Sequence, residues 1–186
     1  MPRSAEPDRH GIPIAGPAWR AHLRSLAQAL GLDGELADAL KLAARLHDEG
    51  KRAARWQRAF HAPKDGVYAK TEGPIDYRLL DGYRHELGSL LRAENVEGIS
   101  DEHRDLVLHL IAAHHGFARP LIGTSGCEDA PPSVLEQKVA EIALRFARLQ
   151  ACWGPWGLAW WEALLRAADQ QASRDNDART AAQGGA

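Results

Sequence analysis

Several ingredients are scarce in this chain, and each scarcity narrows what it can be. Only two cysteines occur, Cys127 and Cys152, 25 positions apart and without a CxxC pair, so neither a disulfide framework nor a thiolate zinc site is expected. No apolar run approaches the roughly 20 residues of a membrane-spanning helix. Residues 1–16 hold no apolar stretch of the kind that drives secretion, so the expected location is cytoplasmic, without membrane contact. There is no GxxxxGK[ST] phosphate loop and hence no recognisable ATP motor. There is no internal repeat, and no apolar–polar alternation marks a strand. An excess of one charge is missing too: 23 Lys and Arg against 25 Asp and Glu leave −2, which does not announce a nucleic-acid binder. With 45% hydrophobic and 26% charged residues the composition is globular rather than disordered. At about 150 residues per domain, 186 residues correspond to roughly one domain.

What is present is helical periodicity. Pro17 can open a helix whose Trp19, Leu23, Leu26 and Leu30 share one face, with Gly31 to end it. Asp33 can cap a second helix carrying Leu36, Leu40 and Ala43, and the same spacing brings His47 onto that stripe before Gly50. Lys51 to Phe60 reads as a short third helix. His61 to Gly82, with two prolines and two glycines inside, reads as a 22-residue loop, a length that is usually functional or mobile. Tyr83, Leu87 and Leu90 predict a fourth helix, and Ser100 starts a fifth through Val107, Leu110 and Ile111 to His114 and His115, stopping at Gly116. Ser133 and Glu136 form a capping box for a sixth helix. Gly154 and Pro155 turn the chain into a seventh, where Trp161, Leu165, Ala168 and Asp169 share a face. The predicted fold class is all-α, a single-domain helical bundle of about seven helices without a sheet. It covers residues 17–174, with 1–16 and 175–186 expected to be disordered ends.

Nine histidines are the anomaly. Set on the helix map, His22, the pair His47-Asp48, His85, the pair His114-His115, and Asp169 come from five different helices. Each has an ordinary reading on its own. His22 and His47 can be satisfied core histidines, and His114 and His115 lie in a last helical turn that favours imidazolium. His85 falls roughly opposite the Tyr83, Leu87 and Leu90 stripe and can be solvated. Asp169 is harder to explain, because a buried carboxylate needs a cation or several donors. Imidazole nitrogens and carboxylates are ligands for divalent transition metals, and bundle cores are known to hold such sites. One metal centre accounts for all seven residues at once.

These residues sit in the stretch HDEGKRAARWQ (47–57), RHE (84–86), IAAHHG (111–116) and ADQQAS (168–173). In that order they resemble the HD superfamily of metal-dependent phosphohydrolases, and within it the HD nuclease domain of the CRISPR type I helicase-nuclease. The cyclic-dinucleotide phosphodiesterases share HDxGK but continue HHExxDGxGYP, whereas here His115 is followed by Gly116, Phe117, Ala118 and Arg119. The resemblance implies two divalent ions, one held by His22, His47, Asp48 and Asp169. The other would be held by Asp48, His85, His114 and His115, with Asp48 bridging. Two divalent ions less two carboxylates leave about two positive charges for a nucleophile and a scissile phosphodiester. Five histidines favour manganese, iron, cobalt or nickel, with magnesium left open.

Lys51, three residues after Asp48, reads equally as a phosphate clamp or leaving-group donor and as a solvated lysine. Ser173, four after Asp169, can orient that carboxylate. Residues 45–70 carry seven basic groups, among them Arg52 and Arg55, against three acids, which suggests a path for a single strand. Trp153, Trp156, Trp160 and Trp161 resemble a stacking platform, although helix packing suits at least two of them better.

The resulting expectation is a metal-dependent nuclease, endonuclease or exonuclease, that hydrolyses single-stranded DNA in type I CRISPR interference, an antiviral defence. The resemblance supplies its partners, a helicase subunit or domain and an RNA-guided surveillance complex. Two alternatives stand beside it: an HD phosphohydrolase acting on a nucleotide or phosphomonoester, and a non-catalytic bundle braced by metal.

Overall fold

A computed structural model describes residues 11–13, 18–71, 73–98 and 100–184. The chain runs through β1 (Gly11–Pro13), α1 (Ala18–Ala29), α2 (Gly34–Leu46), a 3₁₀ turn (Glu49–Arg52), α3 (Ala54–Ala59) and β2 (Tyr68–Thr71). It continues with α4 (Tyr77–Leu80), α5 (His85–Ala93), α6 (Asp101–Ala113) and α7 (Pro132–Gly184). The all-α class holds. The one sheet among the described residues is the antiparallel ribbon β1–β2, paired Gly11 to Thr71 and Ile12 to Lys70. It is too short for alternation to reveal.

The predicted caps explain some boundaries but not the start of α7, which opens at Pro132 and leaves the expected cap Ser133 inside its first turn. Asp33 accepts the Leu36 N–H at 2.8 Å and starts α2. Ser100 precedes α6 as expected, yet its hydroxyl meets His103 Nδ1 at 3.0 Å instead of capping the helix. Gly116, at φ 86°, follows the last turn of α6 in the left-handed region open to glycine. Helix α7 has two limbs, because Gly154 adopts φ 67° and ψ 167° and Pro155 opens the second limb. That second limb continues past the expected boundary at residue 174. Ion pairs from Asp175 to His22 and from Asp177 to Lys70 tie it to the body. The expected opening residue Pro17 and residues 1–10 lie outside the described residues.

Helix α1 packs on α2 and α7, α2 on α6, and α6 on α5 and α7. Their shared core contains Leu23, Leu40, Leu87, Leu90, Leu110, Ile111, Ile142, Leu158, Trp161 and Leu165, all essentially inaccessible. Each such side chain contributes about 1.5–3 kcal/mol by leaving water, so truncating Leu40 to alanine costs about 2–5 kcal/mol. Trp161 is buried and meets Trp153 edge-on at 5.5 Å, whereas Trp156 is 87% exposed. The four tryptophans therefore divide between core and surface.

The expected 22-residue loop carries β2 and the one-turn helix α4. Gln57 organises it. Its Oε1 accepts the Tyr68 N–H at 2.8 Å, and its Nε2 donates to the Tyr68 carbonyl at 2.9 Å and to the Lys51 carbonyl at 2.5 Å. An amide used this way replaces a strand partner and ties β2 to the 3₁₀ turn.

Candidate metal centre

The ends of α2 and α6, the start of α5 and the second limb of α7 converge. His47 and His114 are the residues immediately following α2 and α6, and His85 is the first residue of α5. Between α2 and the 3₁₀ turn, Asp48 adopts φ −103° and ψ 1°, in the sparsely populated bridge region where many active-site residues sit. The turn is pressed against α5. A Cβ on Gly50 would stand 2.0 Å from the His85 carbonyl oxygen, so only glycine fits there. The Gly50 N–H donates to Ser89 Oγ at 2.7 Å, and the Tyr83 hydroxyl donates to the Gly50 carbonyl at 2.8 Å.

Asp48 divides its two oxygens. Oδ2 accepts from Lys51 Nζ at 2.7 Å. Oδ1 stands 3.6 Å from His47 Nε2, 3.5 Å from His85 Nε2 and 4.0 Å from His114 Nε2. The remaining spacings are 3.3 Å between the Nε2 atoms of His85 and His114, 3.2 Å between those of His85 and His115, and 3.4 Å from His47 Nε2 to Asp169 Oδ1. Donor atoms of His47, Asp48 and His114 form one tight group, and those of His85, His114 and His115 form another. His114 belongs to both.

This donor set fits a cation. His47 Nδ1 donates to the Ala44 carbonyl and His114 Nδ1 to the Ile111 carbonyl, each at 2.7 Å. In a neutral imidazole a protonated Nδ1 leaves Nε2 with its lone pair, which here faces the centre, the usual arrangement behind a metal-bound histidine. His85 Nδ1 faces the buried Glu86 carboxylate at 3.5 Å. His47 Nε2 and Asp48 Oδ1 are buried without a hydrogen-bond partner. Unpaired buried acceptors are costly unless a cation or donor satisfies them.

The electrostatics agree. Burial opposes a charge on His47, but Asp48 and Asp169 outweigh it and raise its pKa. Burial also opposes ionisation of Asp48, yet His47, His85 and Lys51 hold its carboxyl well below the usual range. Asp169 is lowered despite burial, by His47. His114 is pushed well down by burial and by its three neighbouring imidazoles, and His115 goes down by burial and His85. Imidazoles that resist protonation remain available as neutral ligands.

Six of the seven predicted metal-ligating residues thus lie together: His47, Asp48, His85, His114, His115 and Asp169. His85, which helical phase left free to face water, is 7% exposed. Seven of the nine residues of α5 are buried, because α5 packs between the 3₁₀ turn and α6. His22 joins neither tight group, and its Nε2 meets Asp175 Oδ2 at 2.7 Å. Ser173 is half-buried one turn beyond Asp169. Arg52 pairs with Glu49 at 2.8 Å, while Arg55 pairs with Glu128 and, at 3.2 Å, with Asp81. Of the other histidines, His109 is buried elsewhere against Glu162 at 2.8 Å, and His61 is exposed.

Sequence reasoning passed over Glu86, Tyr83 and Ser89. Glu86 lies within the RHE motif, and Ser89 follows His85 by one helical turn, so both carried a weak signal. Tyr83 counted only as an apolar stripe residue.

Among the described residues, no helix is long and apolar enough to cross a membrane. The family described as Cas3, HD domain, matches residues 13–183. No curated protein and no solved structure matches the chain. The family match begins within β1, ends within the last residues of α7 and contains every residue of the centre, so the chain belongs to the HD-domain family of Cas3.

Proposed function

We propose that this chain is a metal-dependent nuclease that hydrolyses the phosphodiester bonds of single-stranded DNA in type I CRISPR interference. Membership in the family makes it a metal-dependent hydrolase. The observation that carries the finer reading is the position of Asp48 Oδ1, unpartnered and within 4.0 Å of three imidazole Nε2 atoms. A carboxylate oxygen at such a hub suits a bridge between two cations. Bound there, a pair of divalent ions supplies Lewis acidity toward water and toward the phosphoryl oxygens.

In this reading His47, Asp48 and Asp169 hold one ion, with His22 exchanging its Asp175 contact to join them. His85, His114 and His115 hold the second. Carbonyl acceptors on the Nδ1 atoms of His47 and His114 orient their rings in advance, so little reorganisation accompanies loading. Lys51, now on Asp48 Oδ2, is placed to release one N–H toward a phosphoryl oxygen or a leaving alkoxide. Ser173 would steady Asp169, and Arg52 and Arg55 would reach the strand by opening their ion pairs. The exposed His115 and partly exposed Asp169 leave the centre accessible along an edge, which suits a strand passing across it better than a closed nucleotide pocket.

A net charge of −2 implies weak unaided DNA binding. Delivery by an ATP-driven helicase, recruited to the loop opened by a guided complex, fits that weakness. The test is cleavage of labelled single-stranded DNA, duplex DNA, RNA and free nucleotides after metal stripping and re-addition of manganese, iron, cobalt, nickel or magnesium. Single-stranded DNA is the expected preferred substrate, with a transition metal. Hydrolysis confined to nucleotides, or equal cutting of intact duplex, overturns the proposal.

A further inference from the structure

Arg84 and Phe117 flank the centre on one side. Arg84 immediately precedes His85, and Phe117 follows His115 by two residues across the turn at Gly116. The His85 and His115 rings are 4.9 Å apart, so the segments carrying the flanking pair lie side by side. The Arg84 guanidinium rests on the Phe117 ring, with Cζ 3.7 Å from its centroid. This is the open side of the centre: His47, His85 and His114 are buried, whereas His115 is exposed and Phe117 is 39% exposed.

The cations of the HD motif are already committed. Lys51 is paired with Asp48, Arg52 with Glu49, and Arg55 with Glu128 and Asp81. Among the described residues the Arg84 guanidinium has no carboxylate partner and no hydrogen-bond acceptor. A guanidinium stacked on an aromatic face keeps its N–H donors around its own edge, where a phosphate can take two of them in a fork. The stack also restrains a long side chain before a ligand arrives, which lowers the ordering cost of binding.

We propose that Arg84, held in place by Phe117, binds the phosphate adjacent to the scissile one in a nucleic-acid strand crossing the centre. This rests on the nuclease reading and deepens it. Arg84 distinguishes a strand, which has a neighbouring phosphate, from a small diester, which has none.

The test compares two substrates on the metal-loaded protein, a fifteen-residue oligothymidylate and bis(p-nitrophenyl) phosphate. It adds the anisotropy of labelled oligothymidylate binding in the presence of chelator. Arg84→Ala is expected to raise KM for the oligonucleotide about tenfold, equivalent to about 1.4 kcal/mol. Its loss of kcat/KM there exceeds the loss on the small diester at least fivefold. Chelated binding weakens in parallel, and its salt slope falls by about one. Arg84→Lys recovers part of the loss, since an ammonium lacks the fork, and Phe117→Leu gives an intermediate rise in KM. Equal losses on both substrates, or unchanged oligonucleotide KM and binding, overturn the proposal. Failure of the nuclease reading looks different: unsubstituted protein then leaves the oligonucleotide uncut, and the anisotropy arm still decides whether Arg84 binds strand phosphate.

Discussion

The Tyr83 hydroxyl stands 2.8 Å from the Gly50 carbonyl oxygen and 2.9 Å from Asp129 Oδ2, while Asp129 Oδ1 is ion-paired with Arg92 at 2.7 Å. One phenolic proton therefore serves two acceptors and ties the turn behind Asp48 to α5 and to the segment preceding α7. Tyr83→Phe is expected to cost about 1 kcal/mol, because it removes the hydroxyl shared by Asp129 and the Gly50 carbonyl, which keeps only the Ala53 N–H. It should also weaken metal binding. Denaturant unfolding and a metal titration check the two effects.

Gly50 meets α5 too closely for any other residue. An added Cβ would lie 2.0 Å from the His85 carbonyl and 2.7 Å from the Ser89 nitrogen, both backbone atoms that cannot yield. Gly50→Ala should therefore destabilise the fold by about 3 kcal/mol. It should also shift His85 away from His114, visible as a lower melting temperature and a lost histidine ligand in metal titrations.

Asp48→Asn separates chemistry from bracing. The amide has nearly the same shape but removes the charge that pairs with Lys51 and His47, so metal-free protein should stay folded yet melt several degrees below the parent. Cleavage should fall by at least about a thousandfold, since the proposed bridging oxygen loses its charge. Melting curves and rates on the same preparation decide it. A loss of rate no larger than the fraction of protein unfolded would favour a structural metal.

Metal addition should stabilise the unsubstituted protein through mass action. At one hundred times the dissociation constant the gain is about 2.7 kcal/mol. For a chain of this size that is about 5–10 °C in melting temperature. Manganese, cobalt or nickel should do this at lower concentration than magnesium, because imidazole nitrogens dominate the donor set.

Asp105 offers a pH test away from the centre. It pairs with Arg148 at 2.7 Å and with the buried Arg145 at 3.4 Å. Partial burial opposes its ionisation, but Arg148 and Arg145 lower its pKa below 3.8. A depressed carboxyl stabilises the fold above its unfolded value and loses that contribution as pH falls through the folded one. Asp105→Asn should cost about 1–2 kcal/mol at pH 7. The gap to the parent should close below about pH 3.8, as measured by unfolding across pH.

The periodicity of Leu36, Leu40, Ala43 and His47, and the order of the HD, RHE and HHG motifs, were sufficient to assign the long helices, though not α4, and to nominate the centre. Both are properties of neighbours in the chain: helical spacing sets which side chains share a face, and Asp33 caps α2 through a contact three residues away. What they left undecided depends on separation in space. The burial of His85 follows from α5 being covered on two sides, by the 3₁₀ turn and by α6, and a single-helix pattern describes only one face. The pairing of Arg55 with Glu128 spans 73 positions and that of His22 with Asp175 spans 153, distances over which sequence spacing carries no information. The two acceptors of the Tyr83 hydroxyl, the division of the Asp48 oxygens and the uncommitted Arg84 likewise became visible only when distant segments met. Local sequence determined which groups were on offer. Packing decided which of them had already found partners, because an ion pair or a buried acceptor exists only between groups the fold brings within a few ångströms.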